Sequence, residues 1–228
     1  MTITHPISRE SSAALRTVFT RIDAESCPYH YNFHLHTIYS DGRLAPLELM
    51  QQAIDHGLQG LAITDHHTAK GYQIARHWLT QKQQEQPEQP IPTLWSGVEI
   101  SAGLLDAEVH ILGYGFEVSH PALVPYLQGY TPMDENYRAS NVIQALQAAG
   151  GIAILAHPMR YKRSAEQLIP AIAALGIDGV ETYYCYTNPK PWHPSPEATK
   201  IVGDLARSFG LLETCGTDTH GLDILQRL

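Results

Sequence analysis

Residues 31–37 read YNFHLHT, and the reading of this stretch decides the fold. Side chains of a strand alternate between its faces, so His34 and His36 share one face while Phe33 and Leu35 share the other. One face then carries two imidazoles, and the opposite face is apolar enough to pack on helices. Working outward, strand and helix patterns alternate. APLELMQQAIDHG (45–57) predicts a helix with Pro46 in its first turn, Gly57 past its end and an apolar stripe of Leu47, Met50 and Ile54. LQGLAIT (58–64) predicts a strand, residues 69–84 a helix, and TLWSGVEIS (93–101) and EVHILGYGF (108–116) two strands with little between them. A helix over 136–149 stops at Gly150–Gly151, and the apolar strand IAILA (152–156) runs into His157–Pro158. SAEQLIPAIAALG (164–176) carries a capping-box-like Ser164-x-x-Gln167, and IDGVETYY (177–184) is a strand. The helix 195–210 has Ser195 as N-cap and Pro196 after it, and LLETCGTD (211–218) is the last strand. Upstream, residues 11–24 place Leu15, Val18, Phe19 and Ile22 at helical spacing. Seven strands, mostly followed by helices, predict a parallel α/β architecture, and both a closed or distorted barrel and an open doubly wound sheet fit.

Composition removes other classes. The chain has 228 residues, 43% hydrophobic, enough for one large domain or two small ones without disulfide or metal staples. No apolar run approaches the ~20 residues of a membrane span, and residues 1–30 lack the pattern of a secretory signal. The three cysteines, Cys27, Cys185 and Cys215, are scattered with no CxxC pair and read as reduced thiols of a cytoplasmic protein. A net charge of −8 argues against a general polyanion-binding surface. No GxGxxG or GxxxxGK[ST] is present to cradle a nucleotide. The polar, proline-punctuated stretch Gln81–Pro92 reads as a loop.

Thirteen histidines are many for this length, and their placement carries the functional reading. Beside His34 and His36, candidate ligands fall at or near the predicted ends of successive strands: Asp41, His66, Glu99, His110, His157, Asp218 and His220. Strand C-terminal ends converge on one mouth in a parallel barrel, where active sites lie. Any one of these histidines is more often an ordinary hydrogen-bonded residue, and Asp41 in SDG is good turn chemistry. All nine together, at one end of the strands, are not. Six imidazoles and three carboxylates would be costly in a shared core without a metal. Imidazole and carboxylate without thiolate suit divalent Zn, Mn or Fe.

The segments FHLHTIYSDG, AITDHHT, GVEIS, VHILGY, AHP and GTDTHG, in this order, resemble the PHP (polymerase and histidinol phosphatase) family of metal-dependent phosphoesterases, and most of all its TrpH-like branch. The resemblance spans Asn32 to Gly221 and divides the chain into an N-terminal helical extension, 1–30, and a phosphoesterase domain, 31–228. It implies a distorted seven-stranded (β/α)7 TIM-like barrel and two to three divalent ions. His34, His36, Glu99 and Asp218 match the first metal's set, Glu99 bridges to a second metal with His110 and His157, and Asp41, His66 and His220 match the third. The chain departs from the branch at His67, where Asp is usual, at Thr219, where an aromatic is common, and in a short segment between His110 and His157.

The chemistry implied is hydrolysis of a phosphate ester of a nucleotide or short oligonucleotide by a metal-bridging hydroxide. Asp65 and His67, flanking His66, are candidates for orienting a ligand or moving a proton. Arg138 and Arg160 are the best-placed arginines for phosphate, with Arg43 and Lys190 behind them. Tyr183, Tyr184 and Tyr186 are candidates either to stack a base or to pack. The competing expectations are a phosphatase of a small metabolite, such as a histidinol-phosphate-like ester, and a non-catalytic metal-binding module. Neither a membrane nor an obligatory protein partner is expected.

Overall fold

The six predicted helices are present in the computed structural model, which describes residues 8–228. Residues 1–7 of the expected extension lie outside the described residues. The helices are α1 (Ser8–Phe19), α2 (Pro46–Asp55), α3 (Lys70–Glu85), α4 (Ala139–Ala148), α5 (Ala165–Ala173) and α6 (Pro196–Ser208). Helix α2 begins as its sequence suggests, with Pro46 at the first position and the Glu48 carboxylate accepting from the Ala45 N–H at 3.1 Å. Among the described residues no helix is long and apolar enough to cross a membrane.

The strands overturn the barrel. They form two sheets: a parallel one of β1 (Tyr31–Asn32), β2 (Gly60–Ala62) and β3 (Thr93–Trp95), and a mixed one in the order β4 (Gly97–Leu104), β5 (Ala107–Tyr114), β6 (Ile152–Leu155), β7 (Gly179–Tyr183) and β8 (Leu212–Cys215). Three local causes explain the difference. First, the expected strand 93–101 changes sheets at Ser96, whose hydroxyl donates to the Phe116 carbonyl at 2.8 Å. The next residue is Gly97, where an added Cβ would sit 2.3 Å from the Ile63 carbonyl oxygen, so only glycine lets the chain cross there. Second, β4 and β5 join through Leu105 and Asp106, both left-handed at φ 49° and 58°, a two-residue hairpin that makes the pair antiparallel. The β5–β6 pair is antiparallel too, and only β6–β7 and β7–β8 are parallel in this sheet. Third, YNFHLHT pairs as a strand over only two residues. Beyond Asn32 the two sheets meet through isolated bridges, Leu35 with Thr219 and His66 with Glu99.

Three apolar clusters hold these layers. Ile100, Ile111 and Leu155 of the mixed sheet pack against Val142 and Leu146 of α4, Leu168 and Ile172 of α5, and Val202 of α6. Leu15 and Phe19 of α1 bury against Phe33, Trp95 and Tyr114, with the Phe19 and Phe33 rings edge-on at 5.0 Å. Leu35, Leu61 and Ile63 pack with α2 and α3. Phe33 and Leu35, expected to share a face, thus enter different clusters, because the pleat is lost where the β1 ladder stops.

Candidate metal centre

The loss of regular pairing is what brings the polar side chains together. His34 and His36 are fully buried and both reach Glu99, their Nε2 atoms 2.9 and 3.1 Å from Oε2, and both approach Asp218 Oδ1, at 3.4 and 3.2 Å. His66 Nε2 lies 3.6 Å from the same Glu99 oxygen. The other oxygen, Oε1, faces His110 Nδ1 at 2.7 Å and His157 Nε2 at 3.2 Å. Glu99 therefore divides the cluster, one oxygen toward each half. On the outer side, Asp41 Oδ2 meets His220 Nε2 at 3.0 Å and His66 Nε2 at 3.6 Å. All nine residues singled out in the sequence come together.

Three of the site residues hold strained backbone: Asp218, His67 and His157 are left-handed, at φ 56°, 54° and 25°. The surrounding bonds fix these turns. The Asp218 N–H donates to the His34 carbonyl, the His67 N–H to the Glu99 carbonyl and the His157 N–H to the Glu181 carboxylate.

The donors fit divalent cations. Three sets of ligand atoms lie mutually within 4.8 Å: His34, His36, Glu99 and Asp218; His36, Asp41, His66 and His220; and His66, Glu99 and His110. His36 Nε2 is buried without a hydrogen-bond partner, as is His157 Nδ1. Tautomers are set from behind. His34 donates from Nδ1 to Glu181 Oε1 at 2.9 Å and His220 from Nδ1 to the Asp218 carbonyl at 2.7 Å, which turns each Nε2 lone pair inward.

The protonation pattern follows from the crowding. Burial disfavours the charged form of His34, but the carboxylates of Glu181, Glu99 and Asp218 outweigh it and raise its pKa well above the usual value. For His36 burial is likewise outweighed, by the carboxylates of Asp218 and Glu99 that face it, and the pKa stands at about 9. His66 goes the other way: burial lowers it to about 4. Glu99, Asp218 and Asp41 are held below the carboxylate range by the surrounding imidazoles, against the cost of burial.

Around this shell the other sequence candidates part company. Asp65 is buried and accepts from the Thr37 N–H (2.6 Å), the Thr37 hydroxyl (2.7 Å) and the Ser40 hydroxyl (2.9 Å), tying down the turn that carries Asp41. His67 accepts from or donates to the Thr131 hydroxyl at 3.3 Å, and its carbonyl takes the Gly129 N–H at 2.8 Å. Arg160 donates to Asp218 Oδ2 at 2.9 Å with its side chain 40% exposed. Arg138 instead pairs with Glu135 in solvent, and no contact among the described residues ties it to the cluster. Tyr184 is buried, its hydroxyl donating to Asp218 Oδ2 at 2.7 Å, and Tyr186 accepts the Met159 N–H at 3.2 Å. Sequence reasoning missed two residues that bond the ligands. Glu181 is a buried carboxylate in the strand IDGVETYY, a signal that was there to be read, and it bonds both His34 and His157. Arg227, 2.9 Å from Asp218, carries no such signal.

The PHP domain profile matches residues 32–110. The phosphoribosyl 1,2-cyclic phosphate 1,2-diphosphodiesterase of Eggerthella lenta is 34% identical, over 83% of this chain and 94% of its own. The chain belongs to the PHP family. Its PHP relatives include the 5'-3' exoribonuclease of Haemophilus influenzae, 25% identical over 83% of this chain and 89% of that one. In fold it is similar to a candidate metal-dependent phosphoesterase from Bifidobacterium adolescentis, with TM-score 0.66 and 24% identity over 85% of this chain and 88% of that one. This PHP protein is a metal-dependent phosphoesterase, and its metals have a donor set of imidazoles and carboxylates to enter.

Proposed function

We propose that the chain hydrolyses a phosphate ester of a nucleotide or short oligonucleotide, with two to three Mn, Zn or Fe ions at the cluster. His34, His36, Glu99 and Asp218 would hold one ion, Glu99 with His110 and His157 a second, and Asp41, His66 and His220 a third. Bound ions would supply an acidified water and neutralise charge on the phosphoryl group. The rest falls to the protein. Glu181 and Asp65 position ligands from behind. Arg160, with most of its guanidinium donors free, offers a planar fork to phosphate oxygens. His67 is neutral at pH 7 because burial lowers its pKa to about 4, and it tethers the segment Gly129–Thr131 beside the centre.

The observation that carries the nucleotide reading is Tyr130, 58% exposed between two residues that are both bonded to His67. An aromatic ring held there offers a base a stacking surface, worth ~1–3 kcal/mol per base. The Haemophilus relative's named substrate class supports the same choice. A second reading, a small cyclic sugar phosphate, is favoured by the Eggerthella relative. The test is phosphate release and product analysis with Mn on a 5'-phosphorylated oligoribonucleotide, a mononucleotide and a ribose 1,2-cyclic phosphate. Nucleotide turnover is expected, with Tyr130→Ala raising KM about 5-fold or more for nucleotides while leaving a non-aromatic ester such as glycerol phosphate unchanged. Turnover of the cyclic sugar ester alone would overturn the leading reading.

A further inference from the structure

Asp218 Oδ2, the oxygen turned away from the histidines, receives three donors: the Tyr184 hydroxyl at 2.7 Å, Arg160 Nη1 at 2.9 Å and Arg227 Nε at 2.9 Å. That is more than one carboxylate oxygen needs, and the two guanidiniums differ. The Arg160 side chain is 40% exposed, while that of Arg227 is 22% exposed and arrives on an anchored segment. Ile224 is fully buried, its N–H donates to Gln52 Oε1 at 3.0 Å, and its carbonyl accepts from Asn32 Nδ2 at 2.9 Å. Thr219 donates its hydroxyl to the Gln226 carbonyl at 2.7 Å. The Arg227 carbonyl then accepts the N–H groups of His220 and Gly221, at 2.7 and 3.2 Å. One residue thus touches Asp218 through its side chain and the backbone of His220 through its carbonyl.

We infer that Arg227 is a positioning residue of the metal centre, presented by the segment Leu222–Leu228, which fixes Asp218 with only Oδ1 available to a metal and leaves Arg160 free to move to substrate. This rests on the metal reading above. With Oδ2 engaged by Arg227 and Tyr184, Asp218 would offer a metal one oxygen and would keep its orientation with Arg160 withdrawn. The outer hydrogen-bond partners of metal ligands typically set 10–100-fold in affinity, so Arg227 should act on metal binding and Arg160 on substrate.

The experiment compares wild type, Arg227→Ala, Arg227→Lys, Arg160→Ala and Thr219→Val by Mn(II) titration of the metal-free full chain. Unfolding of each metal-free variant is followed alongside. Expected are a 10–100-fold weaker Mn dissociation constant for Arg227→Ala, partial recovery in Arg227→Lys, and a smaller loss in Thr219→Val, which loosens the segment without touching the guanidinium. Arg160→Ala should bind Mn within about 3-fold of wild type while raising KM for p-nitrophenyl phosphate, since Tyr184 and the anchored Arg227, whose carbonyl also holds the His220 backbone, still fix Oδ2. A drop in metal-free stability with unchanged Mn affinity in Arg227→Ala would make its role structural and overturn the inference. Equal losses of Mn affinity in Arg160→Ala and Arg227→Ala would overturn the division of labour. Should Arg227→Ala not fold, Arg227→Lys and Thr219→Val decide the matter by the same criterion. A wild type that binds no Mn removes the metal reading and this inference together.

Discussion

Replacing Asp65 by alanine tests whether the centre is held from behind by its buried carboxylate. Three donors converge on it, and two of them, the N–H and hydroxyl of Thr37, are fully buried. Leaving each without an acceptor costs ~1–3 kcal/mol, whereas Ser40 is only half-buried and can turn to water. The sum is about 4 kcal/mol, which for a chain of this length lowers Tm by roughly 8–16 °C. Helix α3 supplies a control within the same site. An added Cβ on Gly71 would lie 2.1 Å from Asp65 Oδ2 and 2.9 Å from Thr37 Oγ1, so Gly71→Ala alone should cost about 1–3 kcal/mol by overpacking. In the Asp65→Ala background the new methyl enters the space that the carboxylate has left. The double variant should therefore lie within about 1 kcal/mol of Asp65→Ala, a coupling well above the ~0.5 kcal/mol of independent sites. Urea unfolding of the four proteins, metal-free, measures the cycle. Simple additivity, or an Asp65→Ala chain within 1 kcal/mol of wild type, would refute the reasoning.

Other outcomes follow from the same geometry. Glu181→Gln puts an amide against the Nδ1–H of His34, and Mn affinity measured by dialysis and elemental analysis should fall about 10–100-fold. Because His36 has its folded pKa raised to about 9 from 6.5, its contribution to the stability of the metal-free protein is fully present below pH 6.5. That contribution is lost as pH rises toward 9, which unfolding curves between pH 6 and 9.5 would reveal as a falling slope. His66, lowered to about 4, gives the opposite slope only between pH 6.5 and 4. Metal loading near pH 7.5 should release protons from His34 and His36, read by calorimetry in buffers of different ionisation enthalpy; no buffer dependence would contradict the protonation pattern.

How much was legible depended on whether a residue's role is local. The His-x-His of YNFHLHT, His66 and His157 just past β2 and β6, and Glu99 and His110 within β4 and β5 marked the donors, since each is carried by a strand or its immediate continuation. Helices α2 and α6 announced themselves through Pro46 and Pro196. The sheets did not, because closure depends on pairings distant in sequence. The crossing at Gly97 is set by contact with Ile63, and a local pattern does not distinguish β5 pairing antiparallel with β6 from a parallel neighbour. The same limit hid Arg227, whose partner is fixed only when residues 222–227 fold back on Asn32 and Gln52. Arg138 looked well placed at a helix start, yet its guanidinium is satisfied by Glu135 three residues earlier.

The most direct test of the central claim, that the nine-residue cluster holds the ions on which phosphoester hydrolysis depends, is the metal content per chain of purified protein. It would be measured before and after chelation and Mn or Zn reconstitution, with phosphate release followed in parallel. The account predicts two to three ions per chain, with turnover lost on chelation and restored with the ions. A chain that takes up no stoichiometric metal after reconstitution, or that hydrolyses phosphoesters equally well without it, would contradict the account.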